Sequence, residues 1–480
     1  MPGSTRHSMV PFLLVCLTIA CDVAAQGTPR FPSFAPTHAP PLGYTDPVFS
    51  LSQAYPTAAP VPEPMPWDTV NFFVLPGALE YARSVLRYAV EGNTEVDWVI
   101  QNNAVRKWYH APWMHPGCGG REFIRGMTRE RTSRPQELHP NQKAYRDNWA
   151  VGFYNAPGGH TVGAVWQGPT PNPALAAFPH GTVGVKLLFT AATVEDAPFL
   201  AGSLEWTGNV YPSTGGNPCG QGTAPARENL TLRLLQIDIA VREARKDHTT
   251  GWVFGTFIYD GSAPGTTAFD RMQPVGLMWA DDPTVTAQMN DAGVFVNPAL
   301  KDGFLNPDLI GPWDPGNPAK VRLVHAGLGG RLNGPVDNPV SSCISCHGRA
   351  GVPAQSVTPT GANTASQYTD SLFREYFKEV PHGPGPATDA SGGTYQRLDY
   401  SLQLAVGIRN FHNASPTMLR TASVVNLASS RDEAESAPWE PVAPVAAEGE
   451  GVRHPTPIYL VVGLLLLLAV GMIALTAQRV

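Results

Sequence analysis

Leu230-Thr231-Leu232-Arg233-Leu234-Leu235-Gln236-Ile237-Asp238-Ile239-Ala240-Val241-Arg242 is the stretch that decides the fold. Apolar residues fall at Leu232 and Leu234, then at Ile237, Ile239 and Val241. Alternation of period two marks an extended chain with one buried face. The alternation slips by one residue near Leu235, as it does where a strand carries a β-bulge. Neighbouring segments repeat the pattern. Thr182 to Thr190 puts Val183, Val185, Leu187 and Phe189 at period two, Gly251 to Tyr259 is rich in Val and aromatics, and Val275 to Trp279 is a further short candidate. Trp149 to Tyr154 and Thr161 to Trp166 flank Asn155-Ala156-Pro157-Gly158-Gly159, which reads as a hairpin around a turn-rich loop. Together these segments predict an antiparallel sheet.

Composition agrees. The chain has 480 residues, room for two or three domains. With 48 Pro and 47 Gly it suits a loop-rich or β-rich body rather than a helical bundle. Lys and Arg number 33 against 39 Asp and Glu, a diffuse net charge of −6. No polybasic segment is present, so neither nucleic acid nor anionic lipid is an expected partner. No repeat of fixed period occurs, and residues 67–145 give no clear signal.

The ends of the chain carry export signals. Arg6, the apolar run Val10 to Ala20 and the small residues Val23-Ala24-Ala25 read as a signal peptide over 1–25. Thr18-Ile19-Ala20-Cys21 is a poor lipobox, which leaves lipidation of Cys21 as the alternative. Residues 26–66 read as an extended Pro-rich leader and 431–457 as an acidic Pro/Ala stalk. Ile458 to Ala477 is an uncharged apolar run long enough to span a bilayer as a helix, followed by Arg479. A sorting tail cut off after export is a further possibility for that run. The expected topology is a large body on the periplasmic or outer face of a bacterial membrane, with a single-pass anchor at its tail.

Cys343-Ile344-Ser345-Cys346-His347 carries the chemistry. Two thiols three residues apart followed at once by His is the attachment pattern of haem c: each thiol adds to one vinyl group, and the imidazole beneath the iron is an axial ligand. Half of a zinc site would need a second ligand pair, and no second CxxC or HxxxH occurs. One haem c is therefore expected, bound through Cys343 and Cys346 with His347 on the iron. An exported chain also permits disulfides. Cys118 and Cys219, both in Gly-rich surroundings, are the expected pair, with two free thiols as the alternative. After His347, Ser366 to Val380 and Tyr400 to Phe411 read as helices. The fold class expected is α+β: a mainly antiparallel β body over 67–342, a helical haem-associated part over 343–430, and a C-terminal transmembrane helix.

Phe178-Pro179-His180-Gly181-Thr182, then Val185-Lys186, then Thr250-Gly251-Trp252-Val253-Phe254-Gly255-Thr256-Phe257, and finally the CxxCH, stand in an order that resembles the cytochrome P460 and β-sheet cytochrome c′ family over about 145–347. The resemblance implies a small antiparallel sheet cradling a haem with an open distal site. It also implies a lysine linked to the porphyrin, a role that falls on Lys186. A solvated charge is the other reading of that lysine. The chain departs from the family in the long gap between Trp252 and Cys343 and in the folded-looking chain after His347. A class I cytochrome c is the other template; there a helix precedes the motif and an axial Met follows. Met418 suits that arrangement, but Gly334-Pro335-Val336-Asp337-Asn338-Pro339 before the motif is no helix.

The sixth ligand decides between functions. Ligation by Met418 raises the potential, closes the site to substrate and makes an electron carrier. Its other reading is a core gap-filler. His412 is a rival ligand or a structural His. An open site makes a haem enzyme or gas-binding protein acting on small nitrogen species or peroxide. The expectation is electron transfer with a redox protein, or with a small reductant or oxidant. A haem that serves only as a structural staple ranks last. Trp108-Tyr109-His110-Ala111-Pro112-Trp113-Met114-His115, followed by Arg121, Arg125, Arg129 and Arg131, reads as an aromatic core segment leading into a solvated, partly helical basic face. A metal site would want its His three or four apart with further ligands. Contact between these arginines and haem propionates is the functional alternative.

Overall fold

The alternating stretch is the spine of one large antiparallel sheet. The computed structural model describes residues 30–212, 226–285, 299–309, 326–357, 369–389 and 391–414. All of them belong to the first of the chain's two units, Met1–Ala437 and Pro438–Val480. Among these residues the sheet has nine strands: β1 (Trp108–His110), β2 (Thr128–Arg129), β3 (Asn148–Asn155), β4 (Val183–Thr190), β5 (Glu205–Val210), β6 (Glu228–Arg242), β7 (Trp252–Tyr259), β8 (Met272–Met278) and β9 (Gly303–Leu305). The order is β1-β3-β4-β6-β7-β8-β9, with β2 also on β3 and β5 also on β6.

β6 is long enough to serve three neighbours. It pairs with β4 along Arg233–Val241, with β7 along Gln236–Arg242 and with β5 along Glu228–Arg233. Opposite β4, Leu188 faces Gln236 and Phe189 faces Leu234, so Leu235 is the extra residue of a bulge. The slip in the alternation foretold it. Val183, Val185, Leu187, Ile237, Ile239, Val241 and Val253 form one apolar face, all fully or nearly fully buried. Full burial of each such side chain is worth about 1.5–3 kcal/mol, which fixes the register.

Helix α1 (Leu75–Val90) packs against β8. Its buried residues Ala78, Tyr81, Ala82, Val85 and Ala89 recur at helical spacing. Three of the five are alanines, which makes the stripe faint in the sequence. Helix α2 (Ala156–Val165) replaces the expected hairpin. Asn155 is the reason. Its Oδ1 accepts from the Gly158 N–H (3.4 Å) at the helix start and from the Val183 N–H (2.9 Å) of β4, and its Nδ2 donates to the Gly181 carbonyl (2.9 Å). With Pro157 in the first turn, where a missing N–H costs nothing, the Pro-Gly-Gly run starts a helix rather than a turn.

Two further expectations need correction. Residues 30–66 contain no strand or α-helix, as an extended leader should, but they lie on the body. Phe31, His38, Leu51 and Ser52 are buried, and Ser52 bonds to β1 through its N–H, carbonyl and hydroxyl. The aromatic segment 108–115 begins with the buried strand β1, yet the arginines after it are neither helical nor a solvated face. Arg121 is 2 % exposed, and Arg129 pairs with Asp147, Arg131 with Glu137 and Arg125 with Asp97.

The last described part is helical and also holds a small sheet that the sequence did not announce. Helices α3 (Cys343–His347), α4 (Asp370–Tyr376) and α5 (Leu402–Ala414) accompany strands β10 (Gly351–Val352), β11 (Pro384–Thr388) and β12 (Thr394–Leu398), in the order β10-β12-β11. α4 falls within the first of the two segments read as helices, and α5 overlaps the second and runs three residues past its end at Phe411. No helix among the described residues is long and apolar enough to cross a membrane. The expected signal peptide, stalk and membrane span, with Cys21 and Met418, lie outside the described residues.

Replacing Asn155 by Ala removes a helix cap and a tie between α2 and β4. Asn155→Ala is expected to lower stability by about 2 kcal/mol, read as a reduced denaturant midpoint at unchanged slope.

Candidate functional site around Cys343–His347

One helical turn brings Cys343, Cys346 and His347 to the same side, because residues three and four apart are neighbours on a helix. The turn is fixed at its start. Ser342 Oγ accepts from the Ser345 N–H (2.9 Å) and Ser345 Oγ accepts from the Ser342 N–H (2.8 Å), a reciprocal capping box. Ile344 and Ser345 point into the protein. Cys343 and Cys346 are free thiols, and they and His347 are half-buried. Burial is still the largest influence on all three. It drives the Cys343 thiol far up, pushes the Cys346 thiol to about 12 and moves the His347 imidazole down. These groups are partly accessible yet desolvated. At neutral pH the thiols are protonated and the imidazole is neutral.

The imidazole is oriented. His347 Nδ1 lies 2.9 Å from the Tyr400 carbonyl oxygen. A carbonyl only accepts, so Nδ1 carries the proton and Nε2 keeps a bare lone pair. The ring packs on Phe254 of β7, centroids 4.7 Å apart.

The sheet lies next to the motif. Gly152, Lys186, Asp238, Thr256 and Gly276 are successive partners across β3, β4, β6, β7 and β8. This row is on the face opposite the valines and isoleucines. At its centre Lys186 Nζ is 2.8 Å from Asp238 Oδ2, and Asp238 Oδ1 also accepts from Thr256 Oγ1 (2.6 Å) and Gln236 Nε2 (2.8 Å). Gln236 Nε2 reaches Asp337 Oδ2 at 3.2 Å. Burial works against the Lys186 ammonium, but Asp238, Asp337 and Glu130 outweigh it and hold the group charged. The charges of Lys186 and Asp337 act on Cys343, Cys346 and His347 alike. Lys186 is therefore a neighbour of the motif, partly buried and ion-paired in mid-strand rather than a freely solvated charge.

A buried acid stands behind the turn. Asp281 is 1 % exposed, and its Oδ1 accepts from Ser342 Oγ at 2.7 Å. Burial raises its carboxyl to about 7 against the opposing charge of Arg331.

The remaining expected residues are scattered. Cys118 is disulfide-bonded, and its expected partner Cys219 lies outside the described residues. His412 packs on Phe411. It sits ten residues into α5, about 15 Å along the helix from the end near His347. His110 Nδ1 accepts from the Ser52 N–H (3.0 Å), and among the described residues no group of three or more His, Cys, Asp or Glu is placed to hold a metal ion. A cleft of about 320 Å³ lies on the β8–β9 side, lined by residues that include Met278, Phe304 and Arg331. It contains none of the motif residues. Asp238, Asp337, Asp281 and Tyr400 went unmarked in the sequence. Only Asp238 had a signal there, an acid set between Ile237 and Ile239 and so turned to the other face.

Comparisons with protein-family models, with curated proteins and with solved structures give no match to this chain.

Asp281 makes stability depend on pH. Its carboxyl titrates at about 7 in the folded chain, against an ordinary value of about 3.9 when unfolded. Between those values the folded state holds a proton that the unfolded state has released. Stability therefore falls as pH rises from about 4 to about 7, by on the order of 4 kcal/mol. Asp281→Asn keeps an acceptor for Ser342 and should flatten that dependence in denaturation series at several pH values. An unchanged slope would remove Asp281 from this account.

Proposed function

We propose that this chain is an exported c-type cytochrome that carries one haem covalently on Cys343 and Cys346, with His347 as axial ligand, and passes electrons at the outer face of a bacterial membrane. The observation that carries the reading is the pairing of the His347 Nδ1–H with the Tyr400 carbonyl, which leaves Nε2 bare on the same helical turn as two free thiols. The donor set fits the group: two unlinked thiols three apart and a neutral imidazole of fixed tautomer. A haem bound there supplies a one-electron iron couple. The chain's own residues do the rest. Ser342 and Ser345 hold the turn that presents the thiols, Phe254 packs the imidazole, and Tyr400 fixes its proton on Nδ1. The partner is a redox protein or a small reductant or oxidant, and attachment to the membrane rests on Ile458 to Ala477.

One observation favours a second reading, the open haem site of the cytochrome P460 and β-sheet cytochrome c′ type. Lys186 lies on the sheet face beside the motif. In its pair with Asp238 it is an ammonium without a lone pair, so a bond to a porphyrin would first require the loss of that proton. As it stands, Lys186 supports the role of a fixed charge beside the motif better than a cross-link.

The test uses the full chain in a host that matures haem c. Absorption spectra are recorded with and without dithionite and carbon monoxide. Sharp six-coordinate bands untouched by carbon monoxide are the expected result, and Met418→Ala should alter them if Met418 is the sixth ligand. A Soret band that shifts with carbon monoxide moves the conclusion to the open-site reading. Cys343→Ala with Cys346→Ala should abolish covalent haem, and a parent chain that lacks covalent haem rejects both readings.

A further inference from the structure

The carbonyl that holds His347 belongs to an unusual turn. Asp399 and Tyr400 both adopt positive φ, 47° and 66°, and the Ser401 N–H closes the turn on the Leu398 carbonyl at 3.0 Å. Side chains with a Cβ disfavour this region. Asp tolerates it and Tyr does not. Two such residues in succession persist only where the surroundings over-determine them.

The surroundings do so chiefly through Asp399. Its carboxylate is 2 % exposed and has three donors from separate parts of the chain: Trp252 Nε1 at 2.9 Å, the Gly383 N–H at 2.7 Å and the Phe178 N–H at 2.8 Å. The flanking residues add to it. Tyr400 Oη donates to the Val380 carbonyl, and Ser401 Oγ lies 2.8 Å from Tyr154 Oη. The ladder of β10 and β12 runs into the same turn, with the Leu398 N–H on the Ala350 carbonyl at 2.9 Å. His347 ends the helix three residues before Ala350, and its Nδ1 meets the Tyr400 carbonyl. A helix or an ordinary turn over 398–401 would aim that carbonyl elsewhere.

We propose that Asp399 is a positioning residue for the axial histidine: by locking the turn, it keeps the Tyr400 carbonyl on His347 Nδ1–H and so sets the electron donation of the imidazole and the reduction potential of the bound haem. The inference rests on the cytochrome reading. A hydrogen bond accepted from Nδ1–H makes the ring a stronger donor and favours the ferric state. Weakening it favours the ferrous state and raises the potential.

The experiment compares full-length protein, matured with haem c, with Asp399→Ala, Asp399→Asn and Trp252→Phe. Covalent haem is checked as the pyridine haemochrome, and the potential is measured by redox titration. Asp399→Ala should keep its haem and move the equilibrium toward ferrous iron about tenfold, which is about 59 mV for one electron. Asp399→Asn, which tolerates positive φ and retains an acceptor oxygen, should recover most of that shift. Trp252→Phe removes one of the three donors and should give a smaller shift in the same direction. Potentials equal to the parent's in Asp399→Ala and Trp252→Phe, with haem attached, overturn the inference. If Asp399→Ala does not fold, Trp252→Phe decides alone. A parent chain without covalent haem overturns the cytochrome reading and this inference with it.

Discussion

Everything in the described body hangs on the antiparallel registration of β6 between β4 and β7. The side-chain period of a strand is two, so a shift of one residue exchanges its faces. Here the faces differ sharply. Val185, Ile237, Ile239 and Val253 are on one, and Lys186, Asp238 and Thr256 are on the other. A slip of β6 would bury Gln236 and Asp238 in an apolar core and turn the isoleucines toward the motif. The pairing energy of the apolar face therefore also fixes the position of an ion pair beneath Cys343 and His347. The bulge at Leu235 matters for the same reason. It lets the outer half of the strand pair with β5 while the inner half keeps its register.

The sheet was legible because alternation is a short-range property written directly in β4, β6 and β7, down to the bulge. The helices α4 and α5 were legible for the corresponding helical reason. α1 was not, because alanine carries little of the apolar signal although it packs well. The stretch after Asn155 misled because Pro and Gly mark helix starts as readily as turns, and the deciding bonds reach Gly181 and Val183, far along the chain. Of the site, the CxxCH turn could be read at sight. Its partners could not. Asp281 and Tyr400 reach it only through the tertiary fold, and a strained turn of Asp and Tyr has no local signature in place of glycine.

The environment of the motif combines low polarity with a few fixed charges. Thiols and imidazole are held neutral by burial, while Lys186, Asp238 and Asp337 remain within electrostatic range. Charges next to a desolvated group act through little screening, so small changes in this set carry more weight than the same changes at the surface. The same economy of contacts explains the arginines after His115. They are spent on Asp97, Asp147 and Glu137, and they knit loops to the sheet rather than offering a basic surface.

β1 ends the sheet, and an end strand exposes unpaired backbone groups to any other extended chain. Ser52 covers it. Its carbonyl accepts from the His110 N–H, and its hydroxyl donates to the Trp108 carbonyl. The segment that reads as a leader is thus a built-in cover for the sheet's open edge at Ser52. A body trimmed back to Trp67 would lose buried side chains such as Phe31 and Leu51 and would bare an adhesive edge, so self-association would follow from the loss of a stretch that looks, in the sequence, like a mere tether.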